Sequence, residues 1–564
     1  MNPFRVRIGN RRSLIFVAAL SIAALMFAAC VPVAAPAADA PAAAEAETDE
    51  GGTLTIGSVQ GSAAIPTFLP WKAHSSAQSF HWNLFMNSLV MQEHSTLEWV
   101  PDLAESYEIS EDGLTYTFHL REGVTWHDGM PFTANDVSFS FHAALLPEGG
   151  STASGGLKDA IVGAIDYQEG NAESAEGIQV LDDYTIQFQL TQPQVTIIER
   201  FAMRIAPAHV FEGLAPEEWL QTEFATTLPF GTGPFVFKEY IPDQHTIFER
   251  NENYFKGAPL LKNVVIRFYG DNSVMIIALE KGEINMVGFL NPSADEFDKV
   301  TNLPGIAWEY QDKFPAYFFS ITFQDEALAD KRFRQAFLYS IDRVEIATQL
   351  WGNADLTKVQ PVSQWAPPPG VELDIEEYAY NPEKSKMLLE DMGWDFDRVV
   401  EIVWFGTDMP DQLPILQQFI EGVGIKTKLV QTDGARGLEV FYETGDYEIS
   451  WVGGWGRSYY PDTTVVGCDR VYPNGYNSSR YCNEELDALY NEALATVDDD
   501  ARNELYTRAT AIWNEELPWI PLYAPQSLLL IHENVKGWRD SLIGPEGSAT
   551  IGAVTDLEKW YIEE

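Results

Sequence analysis

From Thr53 to the C-terminus, segments with apolar residues at every second position alternate with segments whose apolar residues recur at helical spacing, and that alternation admits few architectures. "LTYTFHL" sets Leu114, Tyr116, Phe118 and Leu120 on alternate positions, and "YTIQFQL" (184–190) and "VVIRFYG" (264–270) read as strands. "DKRFRQAFLYSIDRVEIATQLWG" reads as one amphipathic helix with Phe333, Ala336, Phe337 and Ser340 on one face and Gly352 as its stop. In "NPEKSKMLLEDMGW", Asn381 is placed to cap and Pro382 to open the first turn. Ser385, Leu388, Leu389 and Met392 then keep helical spacing up to Gly393. A further helix carries Leu486, Leu489, Tyr490 and Ala493. Strands interleaved with helices over this length predict an α/β protein of more than one domain.

One stretch invites a catalytic reading. "LREGVTWHDGMPFTANDVSFSF" (120–141) sets His127 beside Asp128. Asp128-Gly129 is a tight-turn signal, and Thr133 with Asp136 has capping-box spacing, flanked by Phe132 and Val137 at the positions of a hydrophobic staple. Neighbours in an extended segment point to opposite faces, so this pair is expected to be scaffolding that shares neither a proton nor a metal.

The first thirty residues read as an export signal. Arg5, Arg7, Arg11 and Arg12 precede an apolar and small-residue run that ends at Cys30. "FAAC" (27–30) resembles a bacterial lipobox, which makes Cys30 the expected lipidation site, although Phe27 stands where Leu is usual; an unlipidated signal is the alternative. "VPVAAPAADAPAAAEAETDEGG" has no apolar period and is expected to be a disordered tether (31–51) reaching about 25 Å. Two acyl chains on such a tether would hold a globule at a membrane. No later apolar run is long enough to span one.

The formal net charge is −47, and becomes −51 once the four leader arginines are removed. So acidic a surface repels phosphates and argues against nucleic acid as a partner. Besides Cys30 the chain has only Cys468 and Cys482, close enough in an exported protein to predict a disulfide closing a polar, aromatic loop. Hydrolase motifs are missing: there is no G-x-S-x-G or H-E-x-x-H, and the nine histidines lack metal-ligand spacing. No catalytic residue, metal or cofactor is therefore expected, although 83 acidic residues leave a glycosidase-type carboxylate pair open.

The ordered blocks "YEISEDGLTYTFHLREGVTWHDGMPFTANDV", "IVGAIDYQEG", "GIQVLDDYTIQFQL", "GTGPFVFKEY", "ERNENYF", "IALEKGEINMVG", "DKRFRQAFLYSIDRVEI", "YNPEKSKMLLEDMGW", "YCNEELDALYNEA" and "LPWIPLY" resemble the family 5 extracellular solute-binding proteins of ABC importers. The resemblance spans nearly all of 52–564 and implies a two-lobed, type II periplasmic-binding-protein-like α/β fold. Lobe I would be 52–312 with 522–564 returning to it and an inserted subdomain at about 98–228; lobe II would be 313–521. The hinge would be two crossing segments, near "QDKFPAYFFSITF" and "PWIPLYAP". It further implies a monomer that closes on its solute and hands it to ABC permease subunits with their ATPases; a sensor subunit would share the same fold.

The ligand contacts are expected in "SWVGGWGRSYYPDTT" (450–464): Trp451, Trp455, Tyr459 and Tyr460, with Trp404 beside them, because aromatic rings offer apolar area with polar edges. Core packing is the alternative, most of all for Trp451. Where the peptide-binding members keep an Asp for the peptide ammonium, this chain has Ser458, and Asp462 is the candidate substitute. A peptide is the expected solute, with an oligosaccharide or another neutral solute as the alternative.

Overall fold

The computed structural model describes residues 51–59, 67–72, 76–93, 98–146, 156–290, 292, 294–311, 316–351, 357–359, 373–405, 409–432, 436–437, 439–455, 467–471, 475, 477–525, 527–542 and 556–563. Cys30 and residues 31–50 of the expected tether lie outside them.

Two large mixed sheets dominate. The seven-stranded sheet runs Ile306–Gln311, Ser527–His532, Met286–Leu290, Thr53–Ser58, Asn263–Phe268, His245–Arg250, Phe235–Ile241. The six-stranded sheet runs Thr357–Val359, Trp519–Pro525, Ala316–Ile321, Ile449–Trp455, Val399–Phe405, Lys426–Thr432. A four-stranded antiparallel sheet, Ala104–Ile109, Thr115–Leu120, Thr185–Gln189, Ile178–Asp182, shares one continuous apolar core with part of the seven-stranded sheet. The two cores on the six-stranded sheet are built from residues between Phe318 and Tyr523. The chain passes from the larger sheet to the smaller after Gln311 and returns between Pro525 and Ser527.

Local expectations hold where the period was strong. Thr115–Leu120 buries Tyr116, Phe118 and Leu120 on one face, and the other two expected strands form as Thr185–Gln189 and Asn263–Phe268. Asn381 caps Pro382–Met392 by accepting from the Lys384 N–H at 2.9 Å, and the helix ends at Gly393. Leu486, Leu489, Tyr490 and Ala493 are all buried on Glu484–Ala495. The long helix expected from 330 to 352 is instead two, Lys331–Tyr339 and Arg343–Trp351. The Ser340 hydroxyl donates back to the Phe337 carbonyl at 2.7 Å, and Asp342 accepts from the Glu345 N–H at 2.9 Å to start the second helix. Polar side chains that bond the local backbone break the run although the apolar period continues through it.

His127 and Asp128 are scaffolding, each facing its own partner. The His127 ring accepts from the Gly231 N–H at 3.2 Å through Nδ1 and donates from Nε2 to the Gly233 carbonyl at 2.9 Å. The Asp128 carboxylate lies 2.8 Å from His209 Nε2 and also accepts from the Met130 N–H, closing a turn in which Gly129 has φ +90°. Asp136 accepts from the Thr133 N–H at 2.9 Å at the head of Ala134–Leu145, with Phe132 and Val137 fully buried.

A buried ionic cluster ties this body to its C-terminal segment. Asp102, 3 % exposed, lies 2.6 Å from the Lys256 ammonium and accepts from the Asn87 amide and the Ser88 N–H. Arg204 donates to Ser88 Oγ at 2.7 Å; burial lowers its pKa, and the Asp102 charge works against that. Glu558 lines the same small polar cavity, and its backbone carbonyl accepts from the Leu260 N–H.

Candidate binding site

In the six-stranded sheet, Val399–Phe405 runs parallel to both Ile449–Trp455 and Lys426–Thr432, whereas Ala316–Ile321 runs against its two neighbours. The carboxyl ends of Val399–Phe405, Ile449–Trp455 and Trp519–Pro525 therefore share one end of the sheet with the start of Ala316–Ile321. In open α/β sheets the carboxyl ends of parallel strands are where the chain leaves room for a ligand.

That end is aromatic. Tyr317 lies with its ring centroid 5.3 Å from Trp451 and 5.6 Å from Tyr523. Tyr317 and Trp451 are half-buried and Tyr523 is fully buried. Gly453 makes the cluster possible: a Cβ there would stand 2.6 Å from a Tyr317 ring carbon and 2.9 Å from the Trp451 ring. Gly453→Ala should therefore push the rings apart and cost about 1–2 kcal/mol by overpacking. Chemical denaturation and the near-ultraviolet circular dichroism of the aromatic rings would check this; an unchanged spectrum with unchanged stability would refute it.

Burial raises the pKa of the Tyr317 phenol and raises that of Tyr523 well above its ordinary value, so both stay protonated at neutral pH. Among the described residues no acceptor meets the indole N–H of Trp451, which is closed off from solvent. Tyr317 and Trp451 thus present neutral ring surface backed by the buried Tyr523, an arrangement suited to apolar or aromatic groups and to ring-bearing solutes.

The expected site residues divide into three groups. Trp451 stands in the cluster. Trp404 continues Val399–Phe405 on the face carrying Ile402, but it is 6 % exposed and packs in the core, so it supports the rings more than it offers a surface. Trp455 closes its strand, while Ser458, Tyr459, Tyr460 and Asp462 lie outside the described residues. Sequence reasoning passed over Tyr317 and Tyr523 as contacts. The available signal was that each lies in one of the two segments read as crossings, "QDKFPAYFFSITF" and "PWIPLYAP".

Downstream of the site, Cys468 and Cys482 form the expected disulfide, with Cα atoms 4.5 Å apart. Within the loop, Asn477 is 1 % exposed and donates to the carbonyls of Gly467 and Tyr481. The Cys468 N–H binds Asp487 at 2.9 Å, fastening the loop to Glu484–Ala495.

Comparison with known proteins identifies the fold and the family. A family model for bacterial extracellular solute-binding proteins, family 5 Middle, matches residues 98–470. The chain is 27 % identical to the dipeptide-binding protein of Escherichia coli strain K12 over 493 residues, covering 80 % of this chain and 86 % of that protein. It is 28 % identical to heme-binding protein A of Haemophilus influenzae over 488 residues, covering 81 % and 85 %. Its fold matches the periplasmic binding protein DppA of Helicobacter pylori, solved with the peptide STSA, at a TM-score of 0.74 and 24 % identity, covering 92 % of this chain and 99 % of that one. The fold is the type II periplasmic-binding-protein fold, its relatives are binding proteins and not enzymes, and this chain belongs to the family 5 bacterial extracellular solute-binding proteins.

Proposed function

We propose that the chain is the lipid-anchored, extracytoplasmic receptor of an ABC importer. It would capture a peptide-like solute between two lobes, 52–312 with 522–564 and 313–521, and deliver it to the permease. The observation that carries this reading is the Tyr317, Trp451 and Tyr523 cluster at the carboxyl end of the six-stranded sheet, with both tyrosines on strands next to the passages between sheets. A peptide is favoured because relatives of similar identity include a dipeptide-binding and a di/tripeptide-binding protein. In this reading Cys30 carries the lipid, Trp455, Tyr459 and Tyr460 extend the aromatic wall, and Asp462 receives the ammonium in place of the acid absent at Ser458. A neutral solute such as an oligosaccharide is the second reading, and Ser458 is the observation that favours it, since a hydroxyl pairs with neutral groups without a buried charge.

The test is calorimetry of the purified protein with a dipeptide-to-pentapeptide library and an oligosaccharide panel, alongside native mass spectrometry of any retained solute. Peptide binding is expected, with affinity falling at least tenfold in Asp462→Asn. Oligosaccharide binding alone would overturn the peptide assignment. Undiminished peptide binding by Asp462→Asn would remove that anchor.

A further inference from the structure

The two bodies touch at a place remote in sequence from both chain passages. Arg470, inside the Cys468–Cys482 loop beside the six-stranded sheet, donates to an Asp159 carboxylate oxygen at 2.7 Å. Asp159 belongs to the short helix Leu157–Ala160, whose buried residues sit in the apolar core shared by the four- and seven-stranded sheets. On the same seam, Glu484–Ala495 packs against the 3-10 turn Val195–Ala202, which also contacts Leu157–Ala160.

Both partners are held in place before they meet. The Arg470 N–H donates to the Gly467 carbonyl at 3.0 Å, and the Arg470 carbonyl accepts from the Asn477 N–H at 2.9 Å. The disulfide and the buried Asn477 fix the loop around it. On the other side, the Asp159 carbonyl accepts from the Thr191 hydroxyl at 2.8 Å. An exposed ion pair is ordinarily weak because two long side chains must be ordered to form it. Here the Arg470 side chain is also held by Asp469, 3.3 Å from its Nε, and Arg470 is only 25 % exposed. No apolar core described above spans this seam, since one core set ends at Ile306 and resumes at Leu528 and the other lies between Phe318 and Tyr523.

We propose that Arg470, beside the Cys468–Cys482 disulfide, is a latch: it engages Asp159 when the bodies are together, biasing the hinge toward the closed arrangement without touching the solute. The proposal rests on the hinged-receptor reading. A contact made in one arrangement and broken in the other shifts the equilibrium by its own free energy, so the latch would slow solute release and lower the population of the open form.

The test uses the full mature chain without added solute. Hydrogen–deuterium exchange would be followed in 157–160, 195–202 and 467–471, and small-angle X-ray scattering would report the radius of gyration. Arg470→Glu should raise exchange in all three segments by roughly threefold to tenfold and expand the molecule, more strongly at low than at high salt. The exchanged pair, Arg470→Glu with Asp159→Lys, should return both readouts toward wild type. Unchanged exchange in Arg470→Glu, or no recovery in the exchanged pair, overturns the latch. Thermal melting of each variant separates seam opening from global unfolding: higher exchange confined to the seam at an unchanged Tm supports the latch, whereas a uniform rise with a lowered Tm overturns it. Peptide calorimetry on the wild type decides the receptor reading independently, because the exchange experiment contains no solute.

Discussion

Asp102→Ala should destabilise the protein by about 2–4 kcal/mol, toward the lower side of the scale for removing one partner of a buried charge pair because the Lys256 side chain is 25 % exposed. The carboxylate is 3 % exposed, 2.6 Å from Lys256, and bonded to Asn87 and Ser88. Removing it leaves the ammonium and the Ser88 N–H without this acceptor, leaves the Asn87 amide with its 3.3 Å bond to the Tyr254 hydroxyl, and takes away the charge that offsets the burial of Arg204. Charge is the larger part of the effect, so Asp102→Asn should cost much of the same amount. Lys256→Met in the Asp102→Asn background should recover part of the loss, because the stranded ammonium is then gone. Urea denaturation of wild type, Asp102→Asn, Lys256→Met and the double variant gives the coupling energy directly. A loss below about 1 kcal/mol for Asp102→Ala would show that water reaches the cluster freely.

Acid should weaken the fold through His127. Its ring has both nitrogens engaged by the backbone of Gly231 and Gly233, and burial lowers its pKa to about 4 from an ordinary 6.5. Between those two values the unfolded chain binds a proton that the folded chain refuses. Stability from this group is therefore complete above about pH 6.5, is lost as pH falls toward 4, and changes no further below that; the total is about 3 kcal/mol. His142 acts in the same direction, with Nδ1 donating to the Ser138 carbonyl, Nε2 accepting from the Ala175 N–H, and burial lowering its pKa. Many acids titrate nearby in pH, so the difference between wild type and His127→Gln isolates the term. The variant should be less stable at pH 7 for want of one backbone bond, yet lose less stability than wild type between pH 6.5 and 4.5. Parallel losses in the two proteins would count against the assignment.

Local structure was legible in the sequence where a single period governed a segment and its neighbours agreed. Tyr116, Phe118 and Leu120 alternate because one face of their strand meets the core, and Leu486, Leu489, Tyr490 and Ala493 keep helical spacing for the same reason. The break at Ser340–Asp342 was hidden because the apolar stripe continues across it, and only the local hydrogen bonds of Ser340 and Asp342 reveal the stop. One of the three rings of the candidate site could be read: Trp451 announced itself in a glycine- and tyrosine-rich run. Tyr317 and Tyr523 are ordinary tyrosines in apolar strands, brought beside it by sheet pairing between segments far apart in the chain. The ion pairs of Asp102 with Lys256 and of Arg470 with Asp159 carry no local signature, since charges paired across a tertiary fold look in sequence like solvated surface.

Strand order also sets a timetable for folding. Ser527–His532 lies between Ile306–Gln311 and Met286–Leu290, and Trp519–Pro525 lies between Thr357–Val359 and Ala316–Ile321. One late stretch, 519–532, therefore completes both large sheets. Until it is synthesised, four strands present unpaired backbone edges, and two of them, Ile306–Gln311 and Thr357–Val359, have no partner in their sheets at all. Such edges invite pairing with other chains, and contacts this distant in sequence form slowly. The native pairing of both sheets is thus reached only after residues 519–532 have been made.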